Sequence, residues 1–184
     1  MNTIKFLIFF IILFPLVSAK SYSATLCTAD EVILFTCNTK TKNRIISLCG
    51  TIKTNGPTSY IQYRFGTKKR LELVYPADKK PPGKLFTTEM ISYAGSSYDA
   101  YVIFTIEEYS YSIYSGSYVG GSVDDLNNDS SGVYGPRAGV EVSRLGKPLI
   151  DIRCNEDGDA GNPGELTDKV KSYLSDSLNV PSAN

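Results

Sequence analysis

Short runs in which every second residue is apolar, each cut off by Gly, Pro or Asn, direct this chain towards an antiparallel β fold. In Tyr60-Ile61-Gln62-Tyr63-Arg64-Phe65 the apolar Ile61, Tyr63 and Phe65 alternate with Gln62 and Arg64, and Gly66 ends the run. That period of two is the mark of a half-buried strand. Leu71-Glu72-Leu73-Val74-Tyr75 repeats it and stops at Pro76, while Val32 to Thr36 and Ile45 to Cys49 flank the polar turn 39–43. Asn55-Gly56-Pro57 is a further turn signal. After the Pro/Lys-rich loop 78–84, strands are expected at 85–93, 98–107 and 109–118. The Gly-, Asn-, Asp- and Ser-rich stretch 120–139 reads as a long loop, and 140–142 and 149–152 read as short closing strands. About eight short strands at this spacing predict a mainly β domain, an antiparallel barrel or sandwich. Beyond them Leu166, Val170, Tyr173, Leu174 and Leu178 fall on one face of an amphipathic helix over about 165–178.

The other constraint lies at the N-terminus. Lys5, the unbroken apolar run Phe6 to Phe14, Pro15 and the small-residue site Val17-Ser18-Ala19 have the order of an export signal. The run falls short of the roughly 20 residues of a spanning helix. The expected organisation is a signal peptide over 1–19 followed by a single β-rich domain over 20–184. Leu26, directly before Cys27, is larger than a lipid-attachment site wants, so no membrane attachment is expected after cleavage. An even count of 4 cysteines in an exported chain implies two disulfides among Cys27, Cys37, Cys49 and Cys154, with three possible connectivities. No pair has redox or metal-ligand spacing. Linking distant parts of the chain restrains the unfolded state most, which favours Cys154 closing back onto an early cysteine. The expected location is periplasmic or secreted.

Composition removes much chemistry. The chain has 0 His, so Ser-His-Asp and Cys-His catalysis and His-liganded zinc are excluded. With 0 Trp it also lacks the strongest stacking surface for sugars. Basic and acidic residues number 19 each, and loss of Lys5 with the signal leaves 18 against 19. Polyanion binding wants a basic surplus, and the cluster Lys68-Lys69-Arg70 reads as a solvated turn, so no nucleic-acid partner is expected. Glu107-Glu108 is the obvious carboxylate doublet, but neighbours on a strand point to opposite faces. Asn155 to Asp159 and Asp125 to Asp129 alternate oxygen ligands as calcium loops do. They carry Ala160 and Leu166, or Ser130 and Pro136, where such a loop needs Gly and Glu. No enzyme activity, metal or cofactor is expected.

A binding surface remains. Among 13 Tyr, the segment 109–118 interleaves Tyr111, Tyr114 and Tyr118 with Ser115 and other Ser and Gly. Tyr offers rigid contact area and Ser adaptable hydrogen bonds, the composition of a paratope. Tyr also suits half-buried strands, which is the competing reading of the same residues.

The segments Phe35-Thr36-Cys37, Ile45 to Cys49, Tyr60 to Gly66 and Glu72 to Pro76 resemble a group of small exported bacterial proteins that has no assigned activity. Ala94-Gly95-Ser96-Ser97-Tyr98 is similar to the Ser-Gly-x-x-Tyr loop that periplasmic inhibitors of c-type lysozymes present to the enzyme, with Ala in first place. Ser115-Gly116-Ser117-Tyr118 has the residues but is one short. The resemblance implies a disulfide-bonded β-barrel whose Gly95, Ser96, Ser97 and Tyr98 touch a protein partner. That partner would be a lysozyme-like enzyme or a toxin, making the chain an inhibitor or immunity-type protein. A small-molecule or glycan-binding barrel and a structural component of the envelope are the alternatives.

Overall fold

The computed structural model describes residues 24–41, 43–51, 59–93, 97–118, 135–155 and 163–178. The expected signal peptide lies outside them, as do both calcium-like loops apart from Asn155. Nine strands and one helix follow in order: β1 Glu31–Asn38, β2 Ile45–Thr51, β3 Ile61–Thr67, β4 Arg70–Tyr75, β5 Thr87–Tyr93, β6 Ser97–Ile106, β7 Tyr109–Tyr118, β8 Gly135–Arg144, β9 Lys147–Arg153 and α1 Pro163–Leu178. Strands β1 to β4 form one antiparallel sheet and β5 to β9 a second, each with neighbours in chain order. The sheets do not close into a barrel, and the architecture is a sandwich. Helix α1 starts on Pro163, a residue whose missing N–H costs nothing in a first turn.

The alternation seen in sequence sets the faces. Ile61, Tyr63 and Phe65 stand opposite Gly50, Leu48 and Ile46, and these positions turn towards the second sheet. There they meet Val102, Phe104, Ile113 and Val140. Aromatic rings fill the space between the sheets. Phe104 stacks on Tyr111 at 4.9 Å and on Tyr75 at 4.7 Å, and Tyr63 lies 5.0 Å from Phe104. Leu166, Val170 and Tyr173 bring α1 onto this core, and the Tyr173 hydroxyl donates to the Thr51 carbonyl at 2.6 Å.

The cysteines pair as Cys27–Cys49 and Cys37–Cys154. The second joins β1 to the residue after β9, as expected for Cys154. Beside it Asn155 N donates to Asn38 O at 2.7 Å and Lys40 N to Arg153 O at 2.9 Å, so the two sheets meet along this side. Two disulfides are the mark of an oxidising, extracytoplasmic compartment. Among the described residues no helix is long and apolar enough to cross a membrane.

Two readings of the sequence are corrected. Gly135 to Gly139, expected as loop, open the ten-residue strand β8, which pairs with β7 from Tyr118↔Gly135 onward. Pairing along a long neighbour overrides the turn-like composition of Gly135-Pro136-Arg137-Ala138-Gly139. Glu107 and Glu108 are not strand neighbours. They form the two-residue turn between Ile106 and Tyr109, with Glu107 at φ 53°.

Candidate functional site

The outward face of the five-stranded sheet carries a connected set of polar and aromatic side chains. Register places three rows across it: Asp99–Gly116–Arg137, Tyr101–Tyr114–Gly139–Arg153, and Ser112–Glu141–Asp151. In the first two rows a glycine lets a neighbouring side chain lie flat on the sheet. Asp99 crosses Gly116, where a Cβ would stand 1.7 Å from its Oδ1. Its carboxylate there accepts from Arg137 Nε at 3.1 Å and from Arg137 Nη2. The Tyr101 hydroxyl accepts from Arg137 Nη2 at 3.0 Å.

Tyr114 crosses Gly139 in the same way, its hydroxyl 2.7 Å from where a Cβ would be. It donates to Asp151 Oδ1 at 2.8 Å, and the Arg137 guanidinium covers its ring at 4.9 Å. Burial first, then the bond to Asp151, holds the Tyr114 phenol well above its usual range. Asp151 also accepts from Arg153 Nε at 2.7 Å. A face paired in this way is stiff, so docking on it orders few side chains.

Glu141 differs from its neighbours. It stands directly opposite Asp151, and like charges in that position repel. Among the described residues it has no cation within ion-pair distance. Desolvation by the surrounding protein raises its carboxyl above the ordinary value; Arg137 and Arg153 pull it back, while Asp151 and Asp99 push it further up. Glu141 lines a groove of about 430 Å³ together with Ser112, Ser143, Pro148, Leu149 and Asp151. Leu149 is 56% exposed there and Leu145 at the hairpin tip 77%; Ile150, equally exposed, stands opposite Val142 on the other face of the strand, at the sheet edge. Leu145 and Gly146 both have positive φ, 48° and 77°, the backbone of a tight two-residue hairpin turn.

The residues singled out by sequence are dispersed. Gly95 and Ser96 lie outside the described residues, and Ser97 and Tyr118 are placed by backbone alone, at the start of β6 and the end of β7. Tyr98 is half-buried near the start of β6. Tyr111 turns inward onto Phe104. Tyr114 and Ser115 are both buried, on opposite faces of β7. Asp99, Arg137, Glu141, Asp151, Leu149 and Ile150 were not singled out. The alternation Val140-Glu141-Val142 points Glu141 away from the core and was the signal available for it.

A second polar cluster lies on the outer face of the four-stranded sheet, beneath the segment 24–30 that Cys27–Cys49 pins there. Arg64 donates to both oxygens of Glu31 at 2.7 Å, to Gln62 Oε1 and to the Leu26 carbonyl at 2.8 Å. Tyr60 donates to Glu31, and Lys79 lies 3.2 Å from it. Ligand atoms of Cys27, Glu31 and Cys49 lie within 4.8 Å of one another, but the disulfide leaves no thiolate to bind a metal. Its hydrogen bonds tie the strap to the sheet, which is a structural role.

No protein-family model, curated protein or solved structure matches the chain.

Proposed function

We propose that this chain is an exported binding protein without catalytic activity, and that it docks on a protein partner through the β8–β9 side of the five-stranded sheet. The observation that carries the reading is the exposure of Leu145 and Leu149 beside a polar face whose side chains are already paired with one another. Clustered apolar exposure rimmed by polar groups is characteristic of protein interaction surfaces. The aromatic stack between the sheets favours surface recognition over enclosure of a small ligand. On the resemblance described above, the partner is a cell-wall-degrading enzyme or a toxin, and the location is periplasmic or secreted.

The test uses the mature disulfide-bonded chain, immobilised and exposed to periplasmic extract and to purified c-type lysozyme. Clearing of a peptidoglycan suspension is followed in parallel. The expected result is a retained protein and slower clearing, both weakened by Leu149→Asp. Failure to retain any partner, with clearing unaffected, would remove the basis of the proposal.

A further inference from the structure

The groove beside β9 combines features that select one kind of occupant. Asp99 is paired with Arg137, and Asp151 with Arg153 and Tyr114, whereas Glu141 has no ion pair of its own and feels Arg137 and Arg153 only from the neighbouring rows. It stands opposite Asp151, whose charge Arg153 offsets, so a positive group arriving at Glu141 gains a carboxylate that has no ion pair of its own. Pro148 and Leu149, the latter 56% exposed, line the groove beside it as an apolar wall.

We propose that this groove receives a lysine or arginine side chain of a partner protein, its charged end at Glu141 and its methylene stem against Leu149 and Pro148. Long basic side chains bury their stems on apolar surface while keeping the charged head among polar groups. A hard metal cation gains nothing from the apolar wall and wants six or more oxygens, whereas Asp151 is already committed to Tyr114 and Arg153. A phosphate-bearing ligand meets the wrong sign of charge at Glu141. The inference rests on the proposed function, because it names the chemistry of the partner at the same surface.

The experiment titrates ¹⁵N-labelled mature chain with acetylated, amidated hexalysine and maps the amides that shift. Glu141→Gln is compared with Glu89→Gln, a carboxylate on β5 at the opposite edge of the sheet. The expected result is a set of shifts confined to Glu141 and Leu149 to Asp151, with affinity reduced roughly five- to tenfold by Glu141→Gln and unchanged by Glu89→Gln. Shifts spread over the whole surface, or equal loss in the two variants, would overturn the proposal. The same variants in the retention experiment with periplasmic extract and c-type lysozyme separate the two readings. A partner retained equally by wild type and Glu141→Gln refutes the groove assignment and leaves the binding function standing. Hexalysine binding with no partner retained does the reverse.

Discussion

At the scale of single residues, the chain depends on polar pairs that its linear order conceals. Glu31 and Arg64 are almost fully enclosed, with side chains 0% and 6% exposed. Burial pushes the Glu31 carboxyl up, but hydrogen bonds from Arg64, Tyr60 and Thr28 outweigh it and hold the group well below the usual carboxylate range. Glu31→Gln leaves Arg64 charged and uncompensated, and is expected to cost about 3–5 kcal/mol in urea unfolding at pH 7. Because the folded pKa is depressed, this contribution is present above the ordinary value of 4.5 and is lost as pH falls below it. The gap between wild type and variant should therefore narrow in acid; a gap unchanged at pH 3 would contradict the assignment. Gly116→Ala makes a related test, since its Cβ would displace Asp99, itself 2% exposed, from Arg137. A loss of about 2–3 kcal/mol is expected, against less than about 1 kcal/mol for Gly146→Asn, where nothing lies within 4 Å and Asn tolerates positive φ. Pairs such as Asp99–Arg137 join residues far apart in sequence, and no local pattern announces them.

At the scale of elements, local chemistry was more informative. The alternation of Ile61, Tyr63 and Phe65 identified both the strand and its inward face, and the spacing of Leu166, Val170 and Tyr173 identified the helix. The start of β8 was hidden because Gly135 to Gly139 lack strand character of their own and are held by β7. The two disulfides act on different elements. Cys37–Cys154 spans 117 residues and Cys27–Cys49 spans 22. In the chain-entropy model, removing the first as a double alanine variant should destabilise the chain by about 1.5 kcal/mol more than removing the second. Removal of Cys27–Cys49 should instead raise hydrogen exchange in the strap 24–30 while β6 and β7 stay protected. Equal protection of strap and core in that variant would show that the polar cluster alone anchors the segment.

At the scale of the whole molecule, strands in simple chain order make two sheets joined along one side by β1, Asn155 and a disulfide. Sequence left barrel and sandwich open because both are built from the same alternating strands, and the choice depends on whether the outer strands pair fully. The consequence is a sheet edge at β9, which natural sheets protect against strand addition. Here the protection is visible. Arg144↔Lys147 closes a two-residue turn, so the next pair, Ser143↔Pro148, directs its backbone away from β8, and Pro148 has no N–H to offer. An irregular register between Val142 and Ser143 interrupts the edge further. Leu149 and Ile150 thus present exposed side chains beside an edge whose backbone is interrupted at Pro148 and at the irregular register. Pro148→Val restores the donor on a strand-forming residue beside those exposed side chains. The wild-type mature chain should sediment as a monomer at micromolar concentration, and the variant should shift towards dimers and larger species. A variant that stays monomeric over the same range would show that the bulge, and not the proline, protects this edge.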